Sequence, residues 1–289
     1  MLTRRTFLLG AAAVPLTVSG YAVAVEPGLR PAVTRYVVTP PDWCYPDTRL
    51  RIAIVTDIHA CRPWMPIHRI EGIVEATNAL EPDVVVLLGD FVEGLNWLYA
   101  QPIPMRDWSA PLGALRAPLG VYSVLGNHDW WHDGPRVRTA LEAAGLPVLE
   151  NDAVPLTLPG GERVWLGGLG DQLAFRHSGV DDMDRLIAQI PDDGTPAILL
   201  AHEPDAFPKA PERFGLTLSG HTHGGQVSLP IVGRFPAMGS DYGRRYAYGH
   251  IVERGRHLVV SAGLGCSGLP VRFRVPPEIV LVEVGGAAV

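Results

Sequence analysis

Residues 50–59 read LRIAIVTDIH, residues 83–90 read DVVVLLGD, and residues 120–129 read GVYSVLGNHD. Each is a short apolar run that stops abruptly at Asp, Gly, Asn or His. Asp83–Leu88 is the β-branched, unalternating kind of run that parallel strands show when both sheet faces are covered. Between the first two runs, Ile67–Leu80 places Ile70, Ile73, Val74 and Thr77 at helical spacing, with Glu71 and Glu75 on the other side. A further helical segment is predicted over Pro135–Ala144. Beyond it come strands at Val164–Gly168, Ala197–Ala201, Leu216–Ser219, His257–Ala262 and Ile279–Val284, with a helix near Asp182–Ile190. Alternating strands and helices define an α/β layered domain. The late strands lack intervening helices and are expected to pair antiparallel. The predicted architecture is a four-layer α-β-β-α sandwich, two mixed sheets flanked by helices.

The chain has 289 residues, 47% of them hydrophobic and 19% charged, which excludes a disordered chain and allows a large core. Its 27 prolines and 32 glycines have no collagen period and read as shaped turns between short elements. The 24 basic residues are all arginine except Lys209, against 30 acids. The resulting net charge of -6 argues against a nucleic-acid groove. Cys44, Cys61 and Cys266 are too few and too scattered for a disulfide framework or a four-cysteine zinc site. No repeat or internal linker is evident, so residues 49–289 are expected to form one domain.

Residues 1–24 are set apart. Arg4-Arg5 precede an apolar run from Leu8 to Leu16, no acid occurs before Glu26, and Ala22-Val23-Ala24 offers a small-residue cleavage site. This pattern resembles a twin-arginine (Tat) export signal, read by the Tat machinery as an address. An ordinary secretory signal and an uncleaved anchor are the alternatives. Residues 25–48, with five prolines, read as an extended arm leading into the domain. The expected destination is the periplasm, the cell wall or the outer face of the cytoplasmic membrane.

Ligands of open α/β sheets gather beyond the carboxyl ends of the strands. Those ends carry Asp57 and His59, Asp90, Asn127-His128-Asp129, His202, and His221 and His223. Half of the ten histidines therefore stand immediately past strands, where a core histidine would not. If the exits were extended, residues i and i+2 would point to one side, so Asp57 and His59 would grip one ion together and His221 and His223 would repeat that arrangement. Carboxylate, amide oxygen and imidazole are metal-ligand types, and seven of them exceed one tetrahedral site. They suit two divalent ions sharing a carboxylate. Such a site keeps positive charge for a phosphate ester, and its ligands suit manganese, iron or zinc without choosing among them.

The ordered series Asp57-x-His59, Gly89-Asp90, Gly126-Asn127-His128-Asp129, His202 and Gly220-His221-Thr222-His223 resembles the calcineurin-like metallophosphoesterase superfamily. The likeness runs from about Leu50 to Val284. Gly224-Gly225-Gln226 and the stretch from Gly263-Leu264-Gly265 to Pro277-Glu278-Ile279 sharpen it to the exported bacterial phosphodiesterases of the YaeI/YkuE type. The resemblance implies that Asp57, His59 and His223 hold one ion and that Asn127, His202 and His221 hold the other, with Asp90 bridging. It gives His128 a substrate-facing role, stabilising phosphoryl oxygens or protonating the leaving alcohol, and Asp129 the role of orienting and charging His128. The implied reaction is in-line attack on phosphorus by a metal-bridging hydroxide. The alternative reading of Asp129 is an ordinary turn or helix-cap aspartate. Ala60-Cys61 stands where the superfamily often has glycine, which raises the question of a thiol near the metals.

Gly263-x-Gly265-x-x-Gly268 mimics a dinucleotide fingerprint, but Pro270 and a strand-like run follow it, so a backbone-close loop beside the metals is expected instead. Phe91–Ala110 is long enough for a binding loop. Its Trp97, Tyr99 and Trp108, with Trp64 and Trp130-Trp131 nearby, read either as a site for an acyl chain, sugar or base, or as a roof over the core. Arg244-Arg245, Arg272 and Arg274 read as contacts to a second phosphate or anionic lipid, or as solvated side chains. His68, His132, His177, His250 and His257 read as surface or packing residues. The expected function is a phosphodiesterase on a phosphoester that is lipid- or sugar-linked, with peripheral membrane association as a corollary. A phosphomonoesterase and a noncatalytic, metal-containing envelope-binding module are the rivals.

Overall fold

The computed structural model describes residues 18–95, 100–236 and 239–285. Most of the export signal, including Arg4-Arg5 and Leu8–Leu16, lies outside these residues, as do Trp97 and Tyr99. The strands of the two main sheets are β1 (Ala32–Val38), β2 (Leu50–Val55), β3 (Val84–Leu88), β4 (Val121–Val124), β5 (Asp152–Thr157), β6 (Arg163–Gly168), β7 (Ala197–Leu200), β8 (Phe214–Ser219), β9 (Gly249–Glu253), β10 (Arg256–Val260) and β11 (Glu278–Val284). The helices packed on them are α1 (Ile67–Asn78), α2 (Met105–Leu112), α3 (Asn127–Ala143) and α4 (Met183–Ile187).

One sheet has the order β1-β11-β2-β3-β4 and the other β9-β10-β8-β7-β6-β5. Side-chain alternation assigns the layers. Ile52 and Ile54 of β2 face a core shared by both sheets, which also holds Ile198 and Leu200 of β7 and Leu216 and Leu218 of β8. Ala53 and Val55 face the opposite way, onto Ile70, Ile73 and Val74 of α1, Trp108 of α2 and Val137 of α3. On the far side of the second sheet, Ala197 and Leu199 pack on Leu186 of α4. The result is the α-β-β-α sandwich of two mixed sheets. Each such aliphatic side chain contributes about 1.5–3 kcal/mol on full burial, so the α1 stripe alone holds that helix down.

Pairing of the late strands differs from expectation. β6, β7, β8 and β10 run parallel to one another, and the antiparallel pairs within the two sheets are β5–β6, β9–β10 and β11–β2. The β7–β8 connection crosses over with a short 3-10 turn, Pro204–Ala206, in place of a helix. A helix-free crossover leaves no periodic signal in sequence. Residues 25–48 are not simply an arm: Ala32–Val38 completes the edge of the first sheet beside β11.

Candidate metal centre

The ends of β2, β3 and β4 in one sheet and of β7 and β8 in the other converge on one rim, because the strands within each set are parallel. The ligand types follow directly. Asp57, His59, Asp90 and His223 offer ligand atoms all within 4.8 Å of one another, and so do Asp90, His202 and His221. Asp90 is common to both groups. Its Oδ2 lies 3.5 Å from His59 Nε2 and 3.3 Å from His202 Nε2. Asn127 joins the second group, with Oδ1 2.9 Å from His221 Nδ1 and 3.2 Å from His202 Nε2.

The backbone at these positions is not extended. Asp57, His59, Asp90, His221 and His223 all have positive φ, between 48° and 68°. This left-handed conformation is costly for residues with a Cβ and concentrates at functional sites. It replaces the simple i, i+2 strand geometry, and it sends His221 and His223 to different groups. Gly126 is required by crowding: a Cβ there would stand 2.4 Å from Asp90 Oδ1 and 2.7 Å from His202 Cε1. Gly126→Ala is expected to displace Asp90, and elemental analysis of the folded variant should show less bound metal than the parent.

Hydrogen bonds on the outer side of three rings prepare the inner nitrogens. Nδ1 of His59 lies 2.9 Å from the Val92 carbonyl, Nδ1 of His202 lies 2.6 Å from that of Leu88, and Nε2 of His221 lies 3.3 Å from that of Gly239. A ring nitrogen facing a carbonyl carries the proton, which leaves the opposite, inward nitrogen as a lone pair. The centre thus gathers lone pairs, two carboxylates and an amide oxygen, all nearly free of solvent. That concentration of acceptors needs cations, and these residues fit two.

The electrostatics without metal agree. Burial, reinforced by the neighbouring Asp90 charge, pushes Asp57 up to about 7 even though His202 opposes it. Burial acts against ionised Asp90 too, yet His202 and His128 beside it hold its carboxyl well below the usual range. Burial lowers His59 to about 3 and also lowers His221 and His223. His202 is the exception. Burial disfavours its charge, but Asp90 raises it well above the ordinary value. A proton on His202 therefore stands where a cation would, and metal binding must release it.

Asp129 has different partners from those the resemblance implies. Its carboxylate accepts from the backbone N–H of Asp90, Phe91, Val92 and Gly126 at 2.8–3.2 Å, the helix-cap reading extended to the β3 exit loop. It therefore fixes the backbone of the bridging ligand. The His128 ring instead has Ser267 Oγ 3.2 Å from Nε2 and the Trp131 ring 4.9 Å away. His128 lines a pocket of about 320 Å³ together with Asn127, Leu173, Gln226 and Ser267, open beside the ligands. A larger hollow of about 860 Å³ between α2 and α3 touches none of the ligands, so its size does not make it the site.

Arg272 is wholly buried, not solvated. Its guanidinium donates to the carbonyls of Ala262, Gly263, Gly265 and Val275, clamping the loop whose Gly263 would place a Cβ 2.6 Å from that of Asp57. That is the backbone-close glycine loop expected here. Cys61 sits in the hydrophobic core, with burial pushing its thiol up to about 11. Trp108 is buried against Phe91, and Trp64 and Trp130 pack on the core; among the described residues of this set, Trp131 lines the pocket. One group escaped the sequence reading: Asp171 and Glu203 form a buried carboxyl pair behind His202. Burial and then Glu203 push Asp171 up to about 10. Gly170-Asp171 after β6 repeats the Gly-Asp signature seen after β3 and could have disclosed it.

Fold and ligand set together define a metal-dependent phosphoric ester hydrolase. The family model for calcineurin-like phosphoesterases matches residues 50–225, and the chain belongs to that family. It is 30% identical to the metallophosphoesterase YkuE of Bacillus subtilis, over 96% of each chain. It is 28% identical to the phosphodiesterase YaeI of Escherichia coli, over 98% of this chain and 99% of that one. A Helicobacter pylori metallophosphoesterase is 31% identical over 81% of this chain, which spans 59% of that longer protein.

Proposed function

We propose that the protein is a binuclear phosphodiesterase acting outside the cytoplasmic membrane. The observation that carries the reading is the sharing of Asp90 between the Asp57–His59–His223 and Asn127–His202–His221 groups. Two divalent ions held there supply positive charge to phosphoryl oxygens and acidify water toward neutrality. The chain's own residues do the rest. Asp129 and Gly126 hold the bridging carboxylate in place, and the rings of His59, His202 and His221 are oriented by carbonyls. His128, outside both ligand groups and facing the pocket, donates a proton to the departing alcohol oxygen.

Diester preference is supported by the pocket lining. Among the described residues, it contains no arginine or lysine to match the second charge of a monoester, while Trp131 and Leu173 offer apolar surface to a second esterified group. The phosphodiesterase label of YaeI agrees. Export rests on Arg4-Arg5 and the apolar run that follows. Turnover of bis-p-nitrophenyl phosphate and p-nitrophenyl phosphate with added manganese tests the proposal. The diester is expected to have at least about tenfold higher kcat/KM, roughly 1.4 kcal/mol in the transition state. A reversed ratio would make it a monoesterase, and no turnover of either by metal-loaded protein would make it a binding module. Arg4→Lys with Arg5→Lys should retain the protein in the cytoplasm, and unchanged export would refute the Tat assignment.

A further inference from the structure

We propose that an apolar hairpin beside the catalytic pocket docks the protein onto an anionic lipid surface, presenting the metal centre to phosphodiesters of lipid headgroups. This deepens the phosphodiesterase reading and rests on it. The hairpin has a short antiparallel stem, Ser228–Leu229 paired with Gly233–Arg234. Ile231 at its tip is fully exposed, with a φ of 72°, and Leu229, Val232 and Phe235 are exposed around it. Exposed Leu269 belongs to the same surface, since Gln226 Nε2 donates to the carbonyls of Ser267 and Leu269, while Ser228 N–H donates to the Phe273 carbonyl and Phe273 N–H to that of Gln226. More than half of the exposed large apolar side chains among the described residues lie here or on the adjoining segment 18–25. Exposed apolar clusters rimmed by polar residues mark contact sites for proteins or membranes.

Three observations select a bilayer as the occupant. The chain carries a net charge of -6, yet residues 221–240 and 257–277 contain no Asp or Glu and include half-buried Arg234 and exposed Arg274. An acid-free apolar tip with a cation at its base matches an anionic headgroup layer over acyl chains. The described N-terminal segment 18–25 adds apolar side chains to this surface. Val18, Tyr21 and Val25 are exposed there, and Ala22 accepts a hydrogen bond from Arg272 N at 2.9 Å. Finally, Gln226, Pro236 and Gly268 line the catalytic pocket and are continuous with the hairpin and its partner strand. Insertion of the tip would therefore bring the pocket mouth to headgroup level.

The full-length chain is tested by flotation with vesicles of phosphatidylglycerol and phosphatidylcholine in equal parts. Binding is expected, and Leu229→Asp with Ile231→Asp should weaken it about tenfold or more. Hydrolysis of a soluble diester by that variant should be unchanged. A polarity-sensitive dye on Ile231→Cys in a Cys44→Ser background should shift to the blue with these vesicles, whatever the N-terminal stretch does, since Cys61 and Cys266 are buried. No dye shift, or undiminished binding of the double variant, would overturn the proposal, including the case in which a protein partner covers the hairpin. Equal binding to phosphatidylcholine alone would overturn its anionic part. Because binding is read without turnover, a wrong assignment of the reaction would leave these results standing.

Discussion

Asp90→Ala is expected to deplete both halves of the metal centre and to lower kcat/KM by roughly three orders of magnitude, beyond the 10–100-fold typical of residues that only support a ligand. No other side chain is common to both ligand groups. Its Oδ2 stands between His59 and His202 at 3.5 and 3.3 Å, and its Oδ1 accepts from His128 N at 2.9 Å. Removing it would deprive both ligand groups of their shared anionic oxygen and free the start of α3. Elemental analysis and circular dichroism on the same sample separate metal loss from unfolding. A folded Asp90→Ala protein retaining its metal and most of its activity would show that the two groups are independent.

His128→Ala should lower turnover while leaving metal content unchanged, because His128 belongs to neither ligand group. General acids contribute roughly 10²–10⁴-fold, and the loss should fall in kcat with alkyl leaving groups. With p-nitrophenolate, which needs no proton to depart, the deficit should shrink. An equal deficit for both leaving groups would assign His128 to phosphoryl stabilisation instead. Ser267, 3.2 Å from His128 Nε2, orients the ring in the position that the resemblance gave to Asp129.

The strands that carry the ligands were legible because they are central. β3, covered on both faces, has every side chain buried, and so do β7 and β8. The elements missed in sequence are those without such a pattern. β5 is an edge strand holding Pro155, mostly half-exposed, and β9 is the opposite edge. Edges tolerate proline and polar residues, so periodicity fades there. α2, with Pro111 inside it, hid within the segment read as a loop. At the site, residue type and position past a strand revealed which groups would meet. The left-handed backbone at Asp57, His59 and Asp90 had no sequence signal in non-glycine residues. Arg272 was read as a surface cation because arginine is rarely fully buried. Only the four carbonyls around its guanidinium explain its place.

The most direct test of a two-ion centre is a metal titration of the full-length, chelator-treated protein with manganese, following bound metal and diester hydrolysis together. Activity should rise to a plateau at two ions per chain. Binding should weaken as pH falls, since the raised His202 must lose its proton to ligate. Full activity at one ion per chain, or hydrolysis that survives complete metal removal, would contradict the assignment of Asp90 as the shared ligand of two metals.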